Sequence, residues 1–275
     1  MADLDAYFER LGYDGPGEAR LRTLERLHAL HAEKIPFENL SPFVGEPVRL
    51  DLESLQDKLL RRGRGGWCFE HNILFANMLE AIGFDVTRLA ARVRWNVPAD
   101  RVTARSHMLL HIRLPEGEYI ADVGFGGLTL TAPLQLEPGV EQATPHEPHR
   151  IDRERDLYVL QARVAGEWSA LYSFELAEQQ LADYEVSNWY LCHHPESQFL
   201  KTIIAARAEP SRRHALRGTR YAVHYPDGRT ERMEIATVSA YRELLEGPLR
   251  IRLPDAPGLD EKIERMISES AGPSP

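Results

Sequence analysis

Cys68 stands in the run RGGWCFEHN (64–72) and is one of only two cysteines in 275 residues. Gly65-Gly66 supplies a turn, and the amphipathic run beginning at Cys68 has helical spacing, so the thiol falls in the first turn of a helix. Unpaired backbone N–H groups and the positive end of the helix dipole favour a thiolate there, and the same N–H groups can stabilise an oxyanion. A thiolate nucleophile needs a base, and the base needs an orienting acid. Among the eleven histidines, His28, His31, His146, His149 and His214 lie in polar, charged or loop contexts without an evident partner. In RSHMLLHIRL, alternation puts His107, Leu109 and His111 on the face opposite Met108, Leu110 and Ile112, and the following strand, YIADVGF, carries Asp122. A four-residue loop over 113–116 sets His107 directly opposite Asp122, roughly 5 Å apart at the backbone. A two-residue Glu116-Gly117 turn keeps both on one face but slides them four residues apart, about 13 Å at strand rise. The triad Cys68, His107, Asp122 therefore predicts the longer connection or a bulge. Such a triad performs acyl chemistry on carbonyl substrates, with water or an amine equally open as the acceptor.

The elements that must hold these residues change character along the chain. Residues 1–85 have helical patterning, with leucines 21, 24, 27 and 30 spaced three apart and Gly83 ending the run CFEHNILFANMLEAIG. From residue 86 to about 206 the period becomes two, in VTRLAARVRWN, RSHMLLHIRL, EYIADVGFGG, LYVLQARVAGEWSALYSFEL and FLKTIIAARA, which predicts an antiparallel sheet or barrel. Residues 207–275 carry a hairpin with an Asp-Gly turn and an acidic terminal helix. A net charge of -9 argues against a nucleic-acid partner, and the basic runs RRGRGG and EPSRRHALRGTR are read as solvated faces. Two cysteines cannot build a disulfide framework, the acidic start lacks a secretory pattern, and no stretch nears the roughly 20 apolar residues of a membrane span. A reducing cytoplasmic setting with free thiols is expected.

In order, RGGWCFEHN, SHMLLHIRL and YIADVGFGG resemble the arylamine N-acetyltransferase family, and IPFENL (35–40) and SNWYLCHHPESQFL (187–200) extend the likeness through most of the chain. The resemblance implies an α+β fold: an N-terminal helical bundle over 1–85, a central antiparallel β-barrel over 86–206 and a C-terminal α/β lid over 207–275, with a cysteine-protease-like core. It implies Cys68 as nucleophile, His107 as base and Asp122 as acid. It also implies a ping-pong cycle in which acetyl-CoA acetylates the cysteine and an arylamine or hydrazine removes the acetyl group, with no metal. Phe37, Val93, Phe125 and Phe199 match pocket-lining positions. Gly124, Gly126 and Gly127, with Trp95 and Ser106, match positions beside CoA. Arg64 and Glu38 are read as an ion pair that holds the cysteine turn, and Cys192 as core packing. Competing readings are an amide synthase moving a longer acyl chain, a peptidase or transglutaminase-like hydrolase with the same triad, and a CoA- or aromatic-binding protein with an inert thiol.

Overall fold

Caps and glycines delimit the N-terminal helices. In the computed structural model, which describes residues 1–98 and 100–271, the Asp3 side chain accepts the Ala6 N–H to start α1 (Leu4–Leu11), and Gly12, at φ 66°, ends it. Helix α2 (Leu21–Lys34) buries Leu24, Leu27 and Leu30, and on the same side His28 and His31. The two-residue strand β1 (Phe37–Glu38) follows, then α3 (Leu40–Val44) and α4 (Leu52–Leu55), the latter continuing into a wider helical turn over Gln56–Arg61. Helix α5 (Cys68–Ile82) has eleven of its fifteen residues buried, so it is the central rod of this bundle. It shares one apolar core with Leu24, Leu27, Leu55 and Leu59 of the helical region and with Met108, Leu110 and Ile112 further along the chain.

Eight strands then form one antiparallel sheet. They are β2 (Asp85–Val93), β3 (His107–Leu114), β4 (Gly117–Ala121), β5 (Leu134–Gln135), β6 (Glu141–Gln142), β7 (His149–Glu154), β8 (Leu157–Val164) and β9 (Glu167–Glu178). Their order is β5-β4-β3-β2-β9-β8-β7-β6. The two edges meet through one side chain: Gln142 accepts the Gln135 N–H and donates to the Gln135 carbonyl, both at 2.8 Å. The sheet is thereby a nearly closed barrel, filled by Leu89, Leu109, Ile120, Leu160, Leu171 and Phe174.

The remaining elements are α6 (Leu181–His193), α7 (Gln198–Lys201), β10 (Ile204–Glu209), β11 (Arg212–Arg217), β12 (Arg220–His224), β13 (Thr230–Glu234), α8 (Val238–Glu246) and α9 (Leu259–Ala271). A second antiparallel sheet has the order β1-β10-β11-β12-β13, so a strand from the helical region forms its edge. The alternation in FLKTIIAARA does not give a barrel strand: residues 198–201 are helical, and the strand that follows pairs with β1 and β11. The expected division between residues 206 and 207 thus falls inside β10. The β12–β13 hairpin turns at the predicted Asp227-Gly228. Among the described residues, no helix is long and apolar enough to cross a membrane.

Candidate active site

The cysteine turn is fixed by close backbone approach on one side and buried charge on the other. Phe37 bridges Gly66 in parallel, the Glu38 N–H donates to the Gly66 carbonyl at 2.9 Å, and the Gly66 N–H donates to the Pro36 carbonyl at 3.3 Å. A Cβ on Gly65 would lie 2.0 Å from that Pro36 oxygen, and one on Gly66 would lie 2.6 Å from a Glu70 carboxylate oxygen. Both glycines are therefore required by proximity rather than by dihedral angle. Arg64 pairs with Glu38 at 2.8 Å, and both are buried. Burial pushes the Glu38 carboxyl up, but Arg64, Lys58 and the Leu40 N–H outweigh it and hold Glu38 below its ordinary range. At the start of α5 the Glu70 side chain accepts the Trp67 N–H at 3.0 Å and also pairs with Lys58 at 2.7 Å. Cys68 follows, 7% exposed, with its sulfur 3.7 Å from the Ser106 carbonyl.

His107 and Asp122, the expected base and acid, meet, by a different geometry from either predicted register. Leu114 opposes Gly117 across a two-residue Pro115-Glu116 turn, and Leu110 opposes Ala121. This register places Asp122 diagonally from His107 on the same face, where side chains still reach each other. The four-residue loop and the compensating bulge are thus both unnecessary. The ladder ends at Ala121, freeing Asp122 to lean toward the base, and its Oδ2 accepts the His107 Nε2–H at 2.7 Å. That contact leaves Nδ1 as the ring nitrogen available to the cysteine. Burial opposes a charge on His107, but the attraction and hydrogen bond of Asp122, with a further contribution from Cys68, raise it to about 10. Burial likewise pushes Asp122 up, and is outweighed by His107, the Asn72 amide and the Gly124 N–H, which hold the carboxyl below its ordinary value. The result is an imidazolium–carboxylate pair beside the Cys68 sulfur at a helix start.

Several residues of this network carried no role in the sequence reading. Asn72 donates to the Met108 carbonyl at 2.8 Å and to Asp122 Oδ1 at 2.9 Å, and accepts the Val123 N–H at 3.1 Å. His28 accepts the Asp122 N–H at 3.2 Å. A buried chain runs from the Tyr7 hydroxyl to His31 Nδ1 (2.9 Å), from His31 Nε2 to His71 Nδ1 (3.0 Å), and from His71 Nε2 to the Pro36 carbonyl (3.1 Å). That carbonyl only accepts, so His71 donates through Nε2, and with burial opposing a second proton on either ring, each imidazole donates through Nε2 and accepts through Nδ1. Burial accordingly lowers His71 to about 4 and His31 well below its ordinary value. The available signal was helical spacing: His28 and His31 lie four residues after Leu24 and Leu27, and Asn72 four after Cys68.

An N-acetyltransferase family model matches residues 20–257. The arylamine N-acetyltransferase of Mycolicibacterium smegmatis is 41% identical over 271 residues, covering 97% of this chain and 98% of that relative. The chain belongs to the arylamine N-acetyltransferase family. The solved arylamine N-acetyltransferase of Mycobacterium marinum superposes with a TM-score of 0.93 at 39% identity, over 96% of this chain and 100% of that one. A second structure of the M. marinum enzyme, described as a complex with CoA, superposes with a TM-score of 0.92 at 39% identity, over 96% and 99% of the two chains.

Around Cys68, His107 and Asp122 of this family member, the predicted apolar residues are partly assembled. Phe125 meets the His107 ring edge-on at 5.1 Å, and Phe37 stacks parallel to His71 at 6.4 Å. Phe199 packs edge-on against Trp67 at 5.1 Å, and Val93 is the register partner, on the adjacent strand β9, of Tyr172, whose ring lies 4.8 Å from His107. The three glycines differ. A Cβ on Gly124 would lie 2.8 Å from the Cys68 Cα, so this glycine lets the acid loop pack on α5; Gly126 has φ +79°; a Cβ on Gly127 would meet nothing nearer than the Ala215 Cβ, at 3.8 Å. Trp95 instead lines a surface recess of about 320 Å³ with Arg94, Asn96, Arg101 and Ser169. Cys192 is buried in α6, and burial pushes its thiol above the ordinary value. Among the described residues no group of three or more His, Cys, Asp or Glu is arranged to hold a metal.

Proposed function

We propose that this chain moves an acetyl group from acetyl-CoA to an arylamine or hydrazine nitrogen through an acetyl-Cys68 intermediate. The observation that carries the proposal is the 2.7 Å His107–Asp122 contact beside Cys68 at the head of α5. His107 takes the thiol proton, and Asp122 stabilises the imidazolium. The Cys68 sulfur attacks the thioester carbonyl, N–H groups at the helix start stabilise the tetrahedral oxyanion, and collapse expels the CoA thiolate, which takes the proton from His107. In the second half the amine attacks the acetyl-cysteine, His107 accepts the proton that the amine loses, and the Cys68 thiolate departs.

An arylamine suits this cycle because its nitrogen is largely unprotonated near neutrality and thioesters react readily with amines. Apolar side chains such as Phe37 and Phe125 exclude the competing water. The M. marinum relative described in complex with CoA supports acetyl-CoA as donor. Gly126 and Gly127, where added side chains would find no tight contact, fit a close approach by the donor better than Gly124 does. Trp95 and Ser106 remain candidates for donor contacts, and Val93 and Phe199 for the acceptor pocket. The Arg64–Glu38 pair acts by fixing the turn. Intact-protein mass spectrometry after acetyl-CoA should show one added acetyl group that an arylamine removes. Full acetylation of Cys68→Ala would reject the assignment, and rapid loss of the acetyl group without amine would favour the hydrolase.

A further inference from the structure

We infer that His28, on α2, is a positioning residue for the triad acid: as a neutral imidazole it accepts the Asp122 N–H through Nε2 and so fixes the carboxylate against His107. The inference rests on the triad assigned above and adds a residue from an element remote in sequence. Strand β4 ends at Ala121, so the Asp122 N–H lies beyond the ladder, and His28 Nε2 receives it at 3.2 Å. The next two N–H groups are also taken by side chains, Val123 by Asn72 and Gly124 by Asp122 Oδ1. Three consecutive backbone donors thus set the path of the acid loop, the first held by α2 through His28 and the second by α5 through Asn72.

His28 fits this task better than a packing role. Its ring is fully buried, edge-on to Phe75 at 5.8 Å. An imidazole accepting through Nε2 carries its proton on Nδ1, and Nδ1 has no hydrogen-bond partner among the described residues. Packing alone would favour an apolar side chain, which has no donor to strand. Protonation of His28 would turn the acceptor into a donor facing another donor. Burial prevents this, lowering the group to about 4 despite the nearby Asp122. The titratable groups around the two rings are His31 on α2, Asp122, Cys68 on α5, and Tyr172 on β9.

Replacing His28 with Gln keeps an acceptor at nearly the same reach, Asn falls short, and Leu removes it. The readouts are the His107 titration by 15N-histidine NMR and the alkaline limb of single-turnover Cys68 acetylation. H28Q should keep the wild-type midpoint, whereas H28N and H28L should lower it by about one pH unit or more, because a displaced carboxylate holds the imidazolium less well. KM for acetyl-CoA should stay unchanged in all three. If H28L does not fold, H28N against H28Q decides. A wild-type midpoint in H28N, or an equal shift in H28Q and H28N, would overturn the inference. Failure of the wild type to acetylate Cys68 would instead overturn the acyl-transfer proposal, and the His107 titration would still judge His28.

Discussion

The two oxygens of Asp122 divide their work. Oδ2 accepts from His107 at 2.7 Å, while Oδ1 accepts from Asn72 and from the Gly124 N–H, both at 2.9 Å. Asn72→Ala therefore removes a partner from Asp122, from the Met108 carbonyl and from the Val123 N–H together. Each stranded buried group costs about 1–3 kcal/mol, so a clear fall in Tm is expected. The acetylation rate should fall roughly tenfold or more, since the acid is no longer aligned. Thermal melts and timed mass spectra check both; an unchanged rate in the folded fraction would remove Asn72 from the positioning of the acid. The His107 pair also gives an alkaline signature. Folded His107 keeps its proton to about 10, against about 6.5 when unfolded, so the stabilisation is complete below about 6.5 and is lost as pH rises through about 10. Wild-type melts should decline across that window, and those of Asp122→Asn should decline less.

At the level of elements, the cysteine turn depends on β1 and α5 meeting through glycine. Gly65→Ala would drive a Cβ to 2.0 Å from the Pro36 carbonyl, and should abolish soluble folding or displace the turn. Gly127→Ala meets no close neighbour and should leave Tm unchanged, while raising KM for acetyl-CoA if the donor lies there. Measuring Tm and KM for this pair separates packing glycines from donor-facing ones. Arg64→Ala strands a buried Glu38 carboxylate and should cost about 3–5 kcal/mol. Soluble yield should then fall more than the acylation rate of the molecules that remain folded; a large rate loss at unchanged Tm would place Arg64 in the chemistry. The helices and the barrel strands were legible because their periods are clean, and Cys68 was legible because a double glycine precedes an amphipathic run. The register between β3 and β4 was not: whether two or four residues turn the chain is decided at Pro115-Glu116, and side-chain reach covers the remaining offset. Nor was α6, where Val186, Trp189 and Tyr190 face solvent and blur the apolar stripe. Strand β1 is two residues long and exists by virtue of partners far along the chain.

Across the whole molecule, buried neutral histidines set the acid limit. Burial lowers His28, His71 and His149 each to about 4, and His31 further, whereas unfolded histidines protonate near 6.5. Below about 6.5 the unfolded chain binds protons that the native state refuses, so stability falls with pH at about 1.4 kcal/mol per unit for each such group. Three or more acting together give about 4 kcal/mol per unit near pH 5, which would exhaust a typical reserve of about 5–15 kcal/mol within a few units. Urea midpoints over this range should show that slope, and His149→Gln should flatten it; a flat wild-type profile would mean that the rings are protonated in the native state. The edge position of β1 has a temporal consequence. Phe37 and Glu38 are held between Gly66 on one side and Ala205 and Ala206 on the other, and Asn39 is tied to Thr202, 163 residues away in sequence. During vectorial synthesis Cys68, His107 and Asp122 all leave the ribosome well before β10 emerges to pair with β1. A nascent chain therefore carries Cys68 in an unfinished setting through about half of translation, and the proposed nucleophile has its β1 neighbour fully paired only when the last quarter of the protein is made. Stalled chains ending before residue 204 should accordingly resist acetylation by acetyl-CoA, and those extending past β11 should begin to accept it.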